Sequence, residues 1–136
     1  MRFRAAMPNR HGRYPGVSGL VNGLAAAGRL AAPQERFRRI GNDWYQRNLI
    51  DPSTVDPRVY DQEAHPGAAA WFKSTAVEMI DRVAGYPEIL DPHDVAWTRV
   101  VVVSPDTIIY DDPHQVIAVP PPAARRFRAP PLGVEN

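Results

Sequence analysis

The chain has 136 residues, 44% hydrophobic and 23% charged, with 15 prolines, no cysteine and a formal net charge of +1. That length and apolar content can bury a core without staples, which excludes fibrous, collagen-like and wholly disordered readings; the lack of cysteine excludes disulfides, iron–sulfur clusters, cysteine-held zinc and thiol nucleophiles. No apolar run approaches a membrane span, and residues 1–16 lack the apolar stretch and cleavage site of a secretory signal, so a soluble cytoplasmic protein with no membrane partner is expected.

In chain order, Phe3, Ala5 and Met7 alternate with Arg2, Arg4 and Ala6, the period of a half-buried strand. Residues 8–16, PNRHGRYPG, collect turn formers and read as an ordered loop. Leu20, Val21, Leu24 and Ala27 recur at helical spacing, which predicts a first helix over 17–27 with Ser18 as N-cap and Gly28 just past its end. Pro33 and Glu35 suit the first turn of a second helix running to about Leu49. Its expected inward stripe is Phe37, Ile40, Trp44 and Asn48, while Glu35, Arg39, Asp43 and Arg47 are spaced for a ladder of ion pairs.

Three Xaa-Pro breaks make 51–66 a surface loop. Ala69, Phe72, Ala76, Met79, Ile80 and Val83 then predict a third helix from Pro66 to Gly85, with a short turn at Glu88-Ile89-Leu90 after it. Trp97 to Val103, Thr107 to Tyr110 and Gln115 to Val119 read as three strands of an antiparallel meander, valines 100–103 being covered on both faces. Past Pro120 the chain is rich in proline and arginine and poor in aliphatics. The expected fold is one α+β domain over 1–119, about three helices on a small, mainly antiparallel sheet, followed by a C-terminal arm over 120–136.

Charge is uneven along this plan. Residues 1–50 hold nine arginines against Glu35 and Asp43, a balance of +7, and residues 51–120 carry −8. Either the two regions pair inside the fold, or a basic surface stays free for an anionic ligand, a nucleic acid or an acidic protein. Only Lys73 among the sixteen basic residues is lysine, a bias that a GC-rich coding background would produce, so arginine count alone carries little. Position carries more. In Arg10-His11-Gly12-Arg13-Tyr14, glycine admits close backbone approach, arginine offers bidentate contact to phosphate oxygens and histidine can move a proton. The following helix N-terminus would favour negative charge beside it. Arg36 and Arg38 extend the same basic half, and Arg125, Arg126 and Arg128 flank Phe127 in a form suited to charge and stacking contacts with nucleic acid.

The meander supplies a second constellation. A hairpin between its first two strands would bring the turn at Asp111–His114 beside the segment entering the first strand, because neighbouring strands lie only about 4.8 Å apart. Asp91, His93, Asp94, Asp111, Asp112 and His114 would then cluster, a ligand set suited to a divalent metal or to acid–base chemistry. Both segments also suit plain Asp-Pro turns. The tryptophans and Tyr45 have spacings that suit core packing, with their polar edges bonded at its boundary.

The patterns N-R-H-G-R-Y-P-G at 9–16, N-D-W-Y at 42–45, A-W-F-K at 70–73 and Y-D-D-P-H-Q-V at 110–116 resemble small bacterial proteins with no assigned activity. That resemblance transfers no site. The leading expectation is a non-catalytic binding or regulatory protein that meets an anionic or protein partner through Arg10, His11, Arg13, Arg36, Arg38, Arg125, Arg126 and Arg128. The alternative is a small metal-assisted hydrolase using a divalent ion on His93, Asp94, Asp111, Asp112 and His114. A homo-oligomer joined through opposite charges is a third arrangement.

Overall fold

The computed structural model describes residues 1–102 and 107–120. The elements are β1 (Arg2–Ala5), α1 (Val17–Ala26), α2 (Ala32–Asn48), α3 (Pro52–Val55), β2 (Ala69–Phe72), α4 (Val77–Asp81), α5 (Gly85–Leu90), a 3₁₀ turn (Asp91–His93), β3 (Trp97–Val100), β4 (Thr107–Asp111) and β5 (Gln115–Val119). They form an α+β fold with two small antiparallel sheets, β1–β3 and β2–β5–β4. Val103 and Ser104-Pro105-Asp106, like the expected arm beyond Pro120, lie outside the described residues.

The core forms where α1, α5 and β1 meet. Val17, Val21 and Leu24 of α1 pack with Val83, Tyr86, Ile89 and Leu90, and Phe3, Phe37 and Trp97 close around them. A second cluster, Trp44, Ala76 and Met79, joins it through Tyr45 and Phe72. Tyr45 donates its hydroxyl to the Met79 carbonyl at 2.7 Å, and Tyr86 donates to Asn42 Oδ1 at 2.8 Å, so both buried phenols keep a partner.

Local signals placed most helix ends. α1 ends where expected, with Gly28 at φ 69° just beyond it, but Gly16 rather than Ser18 is its N-cap. α2 starts one residue before Pro33, and Gln34 reaches back to the Ala31 N–H at 2.9 Å. Its inward stripe differs from expectation: Ile40 is 58% exposed and Asn48 is exposed, while Gly41 is buried between Phe37 and Trp44. The missing side chain at Gly41 is what lets Tyr86 approach the helix. Residues 51–66 are irregular apart from the single turn α3, capped by Asp51 through the Ser53 N–H at 2.9 Å.

Two long-range pairings overturn expectations. The third helix does not run from Pro66: residues 69–72 form β2, which pairs with β5, and helix resumes only at α4. The apolar spacing there fits both periods, and the open edge of β5 decides it by pairing. The meander also fails at its first hairpin, because β3 pairs with β1, Ala5 opposite Trp97 and Arg2 opposite Val100, while β4 pairs with β5. Asp94, in the left-handed region at φ 57°, turns the chain out of the 3₁₀ turn toward β1. Val101, expected to be covered, is 60% exposed.

The β4–β5 hairpin turn is tied by Asp112. Its carboxylate accepts the His114 and Gln115 N–H groups at 2.8 and 3.0 Å, the Tyr110 hydroxyl at 2.8 Å and the Gln115 amide at 3.1 Å. Burial pushes this carboxyl up, but the donors outweigh burial and hold it below its ordinary 3.8. A depressed folded value contributes stability that is present above the unfolded pKa and lost as pH falls through the folded one. Asp112→Ala is therefore expected to cost about 1–3 kcal/mol at neutral pH, and the gap to wild type should close below about pH 4. A gap in urea denaturation that persists unchanged into strong acid would count against the carboxylate's role.

Two helical glycines make an opposed pair. A Cβ at Gly41 would stand 2.7 Å from the buried Tyr86 hydroxyl oxygen, whereas one at Gly23 would meet nothing within 4 Å. Gly41→Ala is expected to destabilise by about 1–3 kcal/mol through overpacking. Gly23→Ala should stabilise by about 0.5–1 kcal/mol by restricting the unfolded chain. Denaturation midpoints that move in the same direction would refute this packing.

Candidate functional site

Strand β1 sends Phe3 and Ala5 into the core and holds Arg2 and Arg4, two residues apart, on its other face. Arg2 donates from Nη1 to the Ala70 carbonyl at 3.1 Å and from Nη2 to the Tyr14 carbonyl at 2.6 Å. The Arg4 guanidinium carbon lies 3.8 Å from the centre of the Tyr14 ring, a cation–π contact, and its Nε is buried with no hydrogen-bond partner. Neither residue has a carboxylate partner: among the described residues the ion-paired cations are Arg38, Arg39, Arg47, Arg58 and Lys73. Burial, reinforced by the charge of Arg4 and opposed by Tyr60, lowers the Arg2 pKa to about 10. Burial lowers that of Arg4 too, against Tyr14. Both stay charged at neutral pH.

What covers this face is the loop after β1. Asn9 Oδ1 accepts the His11 and Arg13 N–H groups at 2.9 and 3.1 Å, and the Gly12 N–H donates to the Asn9 carbonyl at 2.9 Å with Gly12 at φ 74°. The chain then returns along β1, where the Ala5 N–H donates to the Pro15 carbonyl at 2.8 Å and Gly16 bridges to Arg4. Across from it, Gly67 at φ 76° leads into β2. Between them lies a cleft of about 740 Å³ whose wall includes Arg2, Arg4, Arg13, Asn9, Gln62 and Trp71. Among the described residues that line it there is no aspartate, glutamate, histidine, lysine, serine or threonine.

A second cleft, about 660 Å³, lies between β1 and α2 and has walls of both signs, Arg38 and Arg39 with Asp43 and Asp51. Gly16, Val17 and Ser18 line this one, so the start of α1 serves the mixed cleft and not the cationic one.

The expected binding residues divide. Arg13 is exposed, lines the cationic cleft and has no side-chain partner among the described residues. Arg10 and His11 are exposed on the same loop, with Arg10 Nε 3.5 Å from His11 Nε2. Arg36 is exposed on α2 with no side-chain partner among the described residues. Arg38 is taken: both its Nε and Nη2 donate to Glu35, at 2.8 and 2.7 Å, and Nη1 to Asn22 at 3.2 Å. Arg39 to Glu35 and Arg47 to Asp43 complete the expected ladder. Arg125, Arg126 and Arg128 lie outside the described residues.

The Asp/His set is not gathered. His93 Nε2 is 3.4 Å from Gln34 Oε1, and Asp91 accepts the Trp97 indole N–H at 2.8 Å. Asp94 is exposed, Asp111 pairs with Lys73 at 2.5 Å, and Asp112 with the His114 main chain belongs to the hairpin turn. Among the described residues no three aspartate, glutamate or histidine side chains stand together as metal ligands. The reason is topological, since the juxtaposition required β3 and β4 to be neighbours in one sheet.

Arg2 and Arg4 were the residues that the sequence pattern did not mark as a site. Alternation marked the polar face of β1, but only the returning loop and β2 show that this face is enclosed rather than open to water. Among the described residues no helix is long and apolar enough to cross a membrane. Compared with protein-family models, curated proteins and solved structures, the chain matches none.

Proposed function

We propose that this is a non-catalytic binding protein that takes an anionic, phosphate-bearing ligand in the cleft between β1, the 9–15 loop and β2, held by Arg2, Arg4 and Arg13. One observation carries the reading: two partly buried guanidinium groups share one strand face with no carboxylate partner among the described residues. Desolvated like charges raise the free energy of the folded state, and an anion between them converts that repulsion into charge-assisted hydrogen bonds. The exposed Arg13 guanidinium, with no side-chain partner among the described residues, is a donor in place for it. The cleft wall, as far as it is described, offers neither a carboxylate nor an imidazole as a general base and no serine, threonine or lysine nucleophile, which favours binding over turnover.

Pyrophosphate is expected to raise the melting temperature above that in sodium chloride of equal ionic strength, because a ligand held only by the folded state stabilises it. Arg13→Gln removes no side-chain bond among the described residues, so it should leave the ligand-free melting temperature unchanged while weakening pyrophosphate binding by about tenfold or more in calorimetry. Identical melting in the two salts would refute the proposal.

A further inference from the structure

Resting on that anion-binding reading, we infer that the ligand is a nucleoside phosphate, its phosphate on Arg4 and Arg13 and its base stacked on Trp71. Of the three tryptophans, Trp71 is the one that the core does not use. Trp44 lies edge-on to Tyr45 at 5.2 Å and under Arg82 at 4.3 Å, and Trp97 bonds Asp91. Trp71 is half-buried, belongs to neither core cluster, and has no ring contact or indole hydrogen bond among the described residues.

Its position explains why. In β2, Trp71 lies opposite Val116, and Ala69, on the same face, lies opposite Ala118. Ala68, Ala69 and Ala118 line the cleft with it, so among the described residues small side chains leave space beside the indole. Asn9 adds a polar edge: its Oδ1 is spent on the loop, while its amide nitrogen has no partner among the described residues. A flat apolar platform, a free amide donor and a group of guanidiniums in one cleft match a ligand with a planar heterocycle at one end and a phosphate at the other. The cleft, about 740 Å³, falls within the range of about 300–1,000 Å³ typical of small-molecule sites.

Calorimetry on the full chain with four probes tests this: adenosine 5′-phosphate, ribose 5-phosphate, adenosine and a short 5′-phosphorylated oligonucleotide. Adenosine 5′-phosphate is expected to bind about tenfold or more tighter than ribose 5-phosphate, the gain expected of one base stacked on an aromatic ring. Trp71→Leu should bring the two to equal affinity. Should that variant not fold, the wild-type ratio still decides. Equal wild-type affinities overturn the nucleotide inference and leave the anion reading standing; no binding of either phosphate overturns both. If the oligonucleotide binds tighter than the mononucleotide, the ligand is the phosphorylated end of a strand; if not, it is a free nucleotide. Both of those results support the assignment of base and phosphate.

Discussion

A short strand whose one face must enter the core and whose other face is doubly cationic constrains most of this molecule. Phe3 and Ala5 can be buried only if β1 has partners, and β3 supplies the main-chain ladder for it. Main-chain bonds exchanged between Met1 and Phe72, at 2.5 and 2.7 Å, then tie this ribbon to the other sheet. Burial of the apolar face thus draws Arg2 and Arg4 inward with it, since alternate side chains cannot be separated from the strand that carries them.

How the fold tolerates those two charges determines what else can happen there. Arg2 is satisfied by carbonyl dipoles and Arg4 by a ring face, so each keeps a partner but neither acquires a counter-ion among the described residues. Elsewhere the arginines are treated differently. Along α2, Glu35 takes up Arg38 and Arg39 and Asp43 takes up Arg47 at helical spacing, leaving Arg36 exposed. A basic half-chain therefore resolves into a helix whose arginines are mostly ion-paired and a separate cationic cleft, which neither net charge nor an arginine count could distinguish.

Legibility followed the range of the deciding interaction. The start of α2 near Pro33, its ion-pair ladder, the end of α1 at Gly28 and the alternation of β1 depend on neighbours within a few residues, and all were readable. Residues 69–72 were not, because Ala69, Phe72 and Ala76 satisfy the helical period and only the free edge of β5, more than forty residues away, selects the strand. Likewise the nearest strand in sequence to β3 is β4, yet the partner is β1 at the other end of the chain. The site inherits this limit. The Arg10–Tyr14 loop announces itself by composition, whereas the enclosure of Arg2 and Arg4 exists only once the loop folds back and β2 is in place.

The identity of the cation at these two positions is itself informative. A coding bias toward arginine would fill surface sites with it, and Arg36 on α2 is such a site. Arg2 is not: its fork reaches two carbonyls on separate elements at once, a geometry that the compact ammonium of lysine does not reproduce. At Arg4 the planar guanidinium lies over the Tyr14 ring and stays charged despite burial, where a lysine would shed its proton more readily. Permanently charged, pre-oriented and weakly hydrated groups lose little on meeting an anion, because the desolvation has already taken place during folding. Under the proposed function, the same burial that makes the strand costly would prepare it for a negatively charged ligand.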